Sequence, residues 1–177
     1  MALERRARAW ALAAHGDQQY GAQPYAVHLQ AVRDNVAAQL GEFYVLEQSF
    51  SDTALAAAWC HDVLEDTRTT SAQLAAATSP DVARIVELLS NQRLPNGDVD
   101  WPATVARVGA HPIARLVKLA DRLANSRVSA AERGTSAKAR KTWSKYTQQW
   151  PRLREEIVST EWPLLWHALA ALYASEA

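Results

Sequence analysis

One cysteine among 177 residues leaves Cys60 with nothing to pair with inside the chain. Internal disulfides are therefore excluded, and a reducing compartment, the cytoplasm, is the expected setting. Net charge is also lacking, because 19 basic residues balance 19 acidic ones. Proteins that coat nucleic acid by bulk electrostatics carry a strong basic excess, so no nucleic-acid polymer is expected as a partner and an anionic ligand must meet a local patch. Nor is there an apolar run near the roughly 20 residues of a bilayer span, which excludes a membrane role. Arg5, Arg6 and Arg8 ahead of residues 10–14 imitate a charged leader, but that apolar stretch is too short for a signal peptide. Six glycines and seven prolines are scattered rather than gathered into a linker, so residues 1–177 read as one domain.

Alanine is what the chain has in quantity, at about one residue in five. It is the best helix former, and β-branched residues do not alternate with polar ones, so strands are not expected. Helices are expected over residues 3–15, 27–39, 52–65, 71–77, 81–90, 102–108, 112–128, 136–149, 151–159 and 163–174. Ser51 and Thr70 suit N-caps, and Pro102, Pro112, Pro151 and Pro163 suit first helical turns. The expected fold is all-α, a single-domain bundle of about eight to ten helices.

Three segments carry chemistry. In Trp59-Cys60-His61-Asp62-Val63-Leu64-Glu65-Asp66-Thr67, an imidazole and a carboxylate suited to a divalent cation are followed one turn later by two more acids. On one helix Glu65 would lie beyond His61 and Asp66 beyond Asp62. The acids would repel one another and oppose the helix dipole, a cost that a bound cation removes. The second segment, Lys118-Leu119-Ala120-Asp121-Arg122-Leu123-Ala124-Asn125, places Lys118, Asp121, Arg122 and Asn125 opposite an apolar stripe. The third, Pro24-Tyr25-Ala26-Val27-His28, offers a second imidazole. Arg115 to Lys145 holds nine basic residues against two acidic ones, and its overlap with the segment around Asp121 reads as a phosphate clamp formed by Lys118, Arg122, Lys141 and Lys145. Cys60 reads as a small buried hydrophobe, His15, His111 and His167 as non-ligands, and Trp150, Trp162 and Trp166 as core.

Together the segments PYxxH, HDxxEDT and KLADRLxN resemble the HD superfamily of metal-dependent phosphohydrolases, specifically the (p)ppGpp hydrolase domain of RelA/SpoT-type enzymes and the stand-alone small alarmone hydrolases. The resemblance implies an HD-type helical bundle with His28, His61, Asp62 and Asp121 as ligands of Mn²⁺. It also implies that Glu65 and Asp66 act on water, that Tyr25 and Asn125 contact the nucleotide, and that the segment of Trp143 and Tyr146 lines the nucleotide site. Zn²⁺, Fe²⁺ or Co²⁺ would suit the same donors. The implied reaction is metal-assisted removal of the 3′-pyrophosphate of a small nucleotide, leaving GDP or GTP. Gln18, Gln19 and Tyr20 stand where the family often has a basic residue contacting the base, so (p)ppApp is an alternative substrate. An NADPH 2′-phosphatase, an HD deoxynucleotidase and a catalytically silent nucleotide-binding module are the further alternatives.

Overall fold

A computed structural model describes residues 2–42, 47–157 and 161–174. The order is α1 (Ala2–His15), a two-stranded hairpin of β1 (Gln19–Tyr20) and β2 (Gln23–Pro24), α2 (Tyr25–Gly41), α3 (Gln48–Cys60), α4 (Val63–Asp66), α5 (Ser71–Ala77), α6 (Pro80–Leu89), α7 (Trp101–Gly109), α8 (Pro112–Glu132), α9 (Ala137–Glu156) and α10 (Pro163–Ala174). The all-α bundle is thus as expected, apart from the short hairpin. Gly21, at φ 62°, supplies the left-handed turn residue that the hairpin needs. Among the described residues, no helix is long and apolar enough to cross a membrane.

The apolar side chains gather into two clusters on either side of α3. Ala54, Ala57 and Ala58 face the larger one, with Val32, Val36, Leu116, Leu119, Leu165 and Leu169. Ala56, Trp59 and Cys60 face the smaller, with Ala7, Ala11, Leu74 and Val86. A helix that is apolar on all sides belongs in the interior, and alanine lets α1, α2 and α8 approach it closely. The C-terminus of α3 therefore ends inside the molecule, and the His-Asp pair follows it.

Three local expectations need correction. Residues 52–65 are not one helix: α3 stops at Cys60 and α4 restarts at Val63. His61 Nδ1 donates to the Ala58 carbonyl at 2.8 Å, competing for the acceptor that the Asp62 N–H has in an unbroken helix. Ser51 is not a cap, because the helix begins one turn earlier, at Gln48 after Glu47. Pro151 starts nothing: residues 136–149 and part of 151–159 form the single helix α9 with the proline inside it, while residues 158 and 159 lie outside the described residues. Trp143, Trp150 and Leu153 are buried along one face of α9, and their packing offsets the roughly 3 kcal/mol that an internal proline costs. Thr70 does cap α5, in a reciprocal capping box with Gln73. Pro102, Pro112 and Pro163 lie in the opening turns of α7, α8 and α10.

Candidate metal and nucleotide site

Three helices bring the expected donors together. His28 comes from the first turn of α2, His61 and Asp62 from the break between α3 and α4, and Asp121 from the middle of α8. His28 Nε2 stands 3.1 Å from His61 Nε2 and 3.4 Å from Asp62 Oδ2 and Asp121 Oδ1. His61 Nε2 is 3.0 Å from Asp62 Oδ2 and 3.7 Å from Asp121 Oδ1. Donors bonded at about 2.1 Å to one cation stand about 3.0–3.4 Å apart, a spacing that His28, His61 and Asp62 match, while Asp121 is wider at 3.7 Å from His61. The tautomer agrees: a carbonyl only accepts, so His61 Nδ1 carries its proton toward Ala58 and Nε2 can offer a lone pair to the cluster.

The electrostatics are those of a site prepared for positive charge. Burial alone would push both imidazoles down, but the carboxylates beside them outweigh it: Asp62 and Asp121 hold His61 well above the usual range, and the same two acids raise His28. Burial likewise opposes ionisation of Asp62 and Asp121, yet the two imidazoles, joined by Lys118 at Asp121, hold both carboxyl groups below the usual range. Protons therefore compete with a metal for the same atoms.

The raised imidazoles contribute stability that is complete below about pH 6.5 and is lost as pH rises through their folded values. The depressed carboxyls contribute stability present above about pH 3.9 and lost as pH falls through theirs. With a chelator present, thermal unfolding should thus be highest in mildly acidic buffer and fall above neutrality, whereas a divalent metal should raise Tm most at the alkaline end. A chelated protein whose Tm climbs steadily with pH above neutrality would contradict the cluster's charge state.

Hydrogen bonds hold the surrounding groups. The Tyr25 hydroxyl lies 2.6 Å from Asp62 Oδ2 and 2.8 Å from Asp66 Oδ2. Burial and those carboxylates raise its pKa, so it stays a donor. Asp66 thus lies one turn beyond Asp62, its N–H on the Asp62 carbonyl at 2.9 Å, and the Tyr25 hydroxyl joins their side chains. Glu65 is anchored separately: its two oxygens accept from the Asn91 backbone N–H and Nδ2, both at 2.7 Å. On α8, Asn125 Nδ2 donates to Asp121 Oδ1 at 2.5 Å, and Asn125 Oδ1 accepts from the Tyr20 hydroxyl at 2.7 Å. Tyr20 also stacks on His28, with ring centroids 4.6 Å apart.

A cleft of about 310 Å³ opens beside the cluster, lined among others by Tyr20, Tyr25, Asn125, Ser129, Lys145 and Tyr146. A smaller one of about 110 Å³ shares Lys145 and Tyr146 with it and adds Asn91, Lys118, Arg122 and Gln149. The basic segment disperses more than its sequence suggests. Lys141 is exposed and lines neither cleft, because the contacts of α9 run through Lys138, Thr142, Lys145, Tyr146 and Gln149. Arg115 pairs with Glu161 at 2.5 Å, Arg127 reaches Asn35, and Arg133 lies over Trp143. Trp143 is buried against Tyr173, which leaves Tyr146 as the aromatic of that segment facing the clefts.

The remaining candidates are structural. Cys60 is fully buried, its thiol pushed up to about 12 by burial. His15 stacks on Tyr25 and His111 accepts from the Ile113 N–H at a helix start. Sequence reasoning missed Asn91 and the Tyr20 contacts. Asn91 follows α6 in a stretch that is merely turn-like, and only the fold sets it against Glu65.

No family model and no curated protein matches this sequence. Among solved structures, a metazoan ortholog of SpoT, described as hydrolysing ppGpp and playing a role in starvation responses, superimposes with a TM-score of 0.79 at 18% identity. The match covers 100% of this chain and 97% of that one. With the His/Asp cluster inside a bundle of this topology, the chain shares the fold of that ppGpp-hydrolysing SpoT ortholog.

Proposed function

We propose that this protein is a metal-dependent small alarmone hydrolase that removes the 3′-pyrophosphate of (p)ppGpp-type nucleotides in the cytoplasm. The observation that carries the reading is the meeting of His28, His61 and Asp62 within ligating distance of one another, with Asp121 beside both imidazoles and a nucleoside-sized cleft alongside. The SpoT-like fold supports it. These four residues hold the cation, which we take to be Mn²⁺; when bound, such an ion acidifies water and polarises a phosphoryl oxygen. Glu65, fixed by Asn91, accepts the proton of the attacking water, and Asp66 with Tyr25 keeps Asp62 oriented. Asn125 and Tyr146 receive the nucleoside, and the 3′-hydroxyl leaves as GDP or GTP with release of pyrophosphate.

One observation favours (p)ppApp as a second reading. The positions ahead of Pro24 hold Gln19 and Tyr20, and Tyr20 is engaged by Asn125 and His28, so no cation reaches the base from this hairpin. The test is a turnover panel with purified protein and Mn²⁺, offering ppGpp, pppGpp, ppApp, pppApp, NADPH and deoxynucleoside monophosphates. Pyrophosphate from one purine series is the expected result and names the base. Phosphate from NADPH or deoxynucleotides alone would discard the alarmone reading, and silence with every metal would leave a binding module.

A further inference from the structure

A metal-bound imidazole is normally oriented by the N–H of its second nitrogen, which donates to a nearby acceptor and fixes ring and tautomer together. His61 has such a bond, from Nδ1 to the Ala58 carbonyl at 2.8 Å. His28 does not: its Nε2 faces the cluster, while its Nδ1 is buried without a hydrogen-bond partner among the described residues. Two aromatic rings stand in for the bond. Tyr20 lies face to face on His28, with centroids 4.6 Å apart and planes 19° from parallel, and Tyr25 meets the same ring edge-on at 5.6 Å and 79°. Both are favoured arrangements of paired rings.

Tyr20 is itself held at both ends. In the hairpin it pairs with Gln23 across the turn at Gly21. Gln18 ties down the base of that hairpin: its carbonyl accepts from the Tyr25 N–H at 2.9 Å, its Oε1 accepts from His15 Nδ1 at 2.7 Å, and its Nε2 donates to the Asp66 carbonyl at 2.6 Å. At the far end, the Tyr20 hydroxyl donates to Asn125 Oδ1 at 2.7 Å. The same amide then turns Nδ2 to Asp121 Oδ1 at 2.5 Å. One side chain thus bears on two members of the cluster from different helices, on His28 of α2 through its ring and on Asp121 of α8 through Asn125.

Resting on the metal-centre reading above, we infer that Tyr20 is a positioning residue of that centre, its ring setting the plane of His28 and its hydroxyl setting, through Asn125, the direction of Asp121. An imidazole free to rotate must be ordered when a cation binds, and that cost lowers affinity; a ring already clamped by its neighbour has met it in advance. Tyr20 also lines the larger cleft, so a direct contact with the nucleotide is the rival role.

Titration of chelator-stripped protein with Mn²⁺, counting the free ion by electron paramagnetic resonance, tests this without turnover. Tyr20→Leu removes both the ring face and the hydroxyl and should weaken Mn²⁺ binding about 10–100-fold, the scale for the outer partners of a metal ligand. Tyr20→Phe keeps the stack, and the Asp121 carboxylate, which only accepts, still selects the N–H₂ of Asn125, so this variant should regain most of the affinity. Tyr20→Thr, a residue at home in a strand, carries the same expectation as the leucine variant should that one fail to fold. At saturating Mn²⁺ the turnover of Tyr20→Leu should recover, with KM for the nucleotide close to the wild-type value. Unchanged Mn²⁺ affinity in Tyr20→Leu and Tyr20→Thr would overturn the inference, and so would a raised KM that added metal does not relieve, which would make Tyr20 a nucleotide contact. Equal losses in the phenylalanine and leucine variants would overturn the part given to the ring. If the wild type binds Mn²⁺ through Tyr20 but hydrolyses no alarmone, the hydrolase reading falls and the positioning role stands; if it binds no divalent metal, both fall.

Discussion

His61→Ala should abolish stoichiometric divalent-metal binding and reduce turnover to background. His61 is 3% exposed and stands within 3.7 Å of donor atoms on His28, Asp62 and Asp121, so its loss takes the central imidazole out of the cluster. Losing a mere partner of a metal ligand costs about 10–100-fold in affinity or activity, and losing the ligand itself should exceed that. The substitution also removes the bond to the Ala58 carbonyl that interrupts the helix, so a folding defect must be separated from a binding defect. Asp121→Asn serves as the second variant, since it keeps the shape of the side chain while removing its charge. Metal content by elemental analysis, and the Tm gain on adding metal, should both be lost in the two variants while each still unfolds cooperatively. Normal metal content in either would remove that residue from the ligand set.

How far the sequence anticipated this arrangement depended on the range of the interactions. Helices were legible where alanine content, caps and prolines acted locally, as at Thr70 and Pro112. They were misread where a tertiary contact won: at Pro151, packing by Trp150 and Leu153 carries the helix through a residue that normally starts one. That these side chains would meet was legible because His-Asp adjacency is itself a chemical statement, and His28 and Asp121 followed from the motifs around them. Which basic side chains line the clefts was not legible. Lys141 and Lys145 are four apart on one helix, yet only Lys145 lines either cleft. Asn91 could not have been found either, because its role exists only through the packing of α4 against α6.

That missed asparagine sharpens the second large effect. Glu65→Gln should leave metal content intact and lower kcat by at least about a hundredfold, the usual scale for a proton-transfer residue. The carboxylate accepts from two donors on Asn91 at once, one from the backbone and one from the side chain. A glutamine amide has a single oxygen, so it keeps one of these bonds and turns an N–H₂ toward the other donor. The variant therefore loses both the proton acceptor and part of its anchorage, and Asn91→Ala separates the two. That change keeps the carboxylate but removes the side-chain anchor, and should lower kcat by about tenfold, as for other orienting partners. If Asn91 acts only through Glu65, the double variant should be no slower than Glu65→Gln alone. Additive losses would give Asn91 a direct contact with substrate in the small cleft, and full activity in metal-replete Glu65→Gln would transfer the proton acceptance to Asp66, which the Tyr25 hydroxyl already places 2.8 Å from a donor in contact with Asp62.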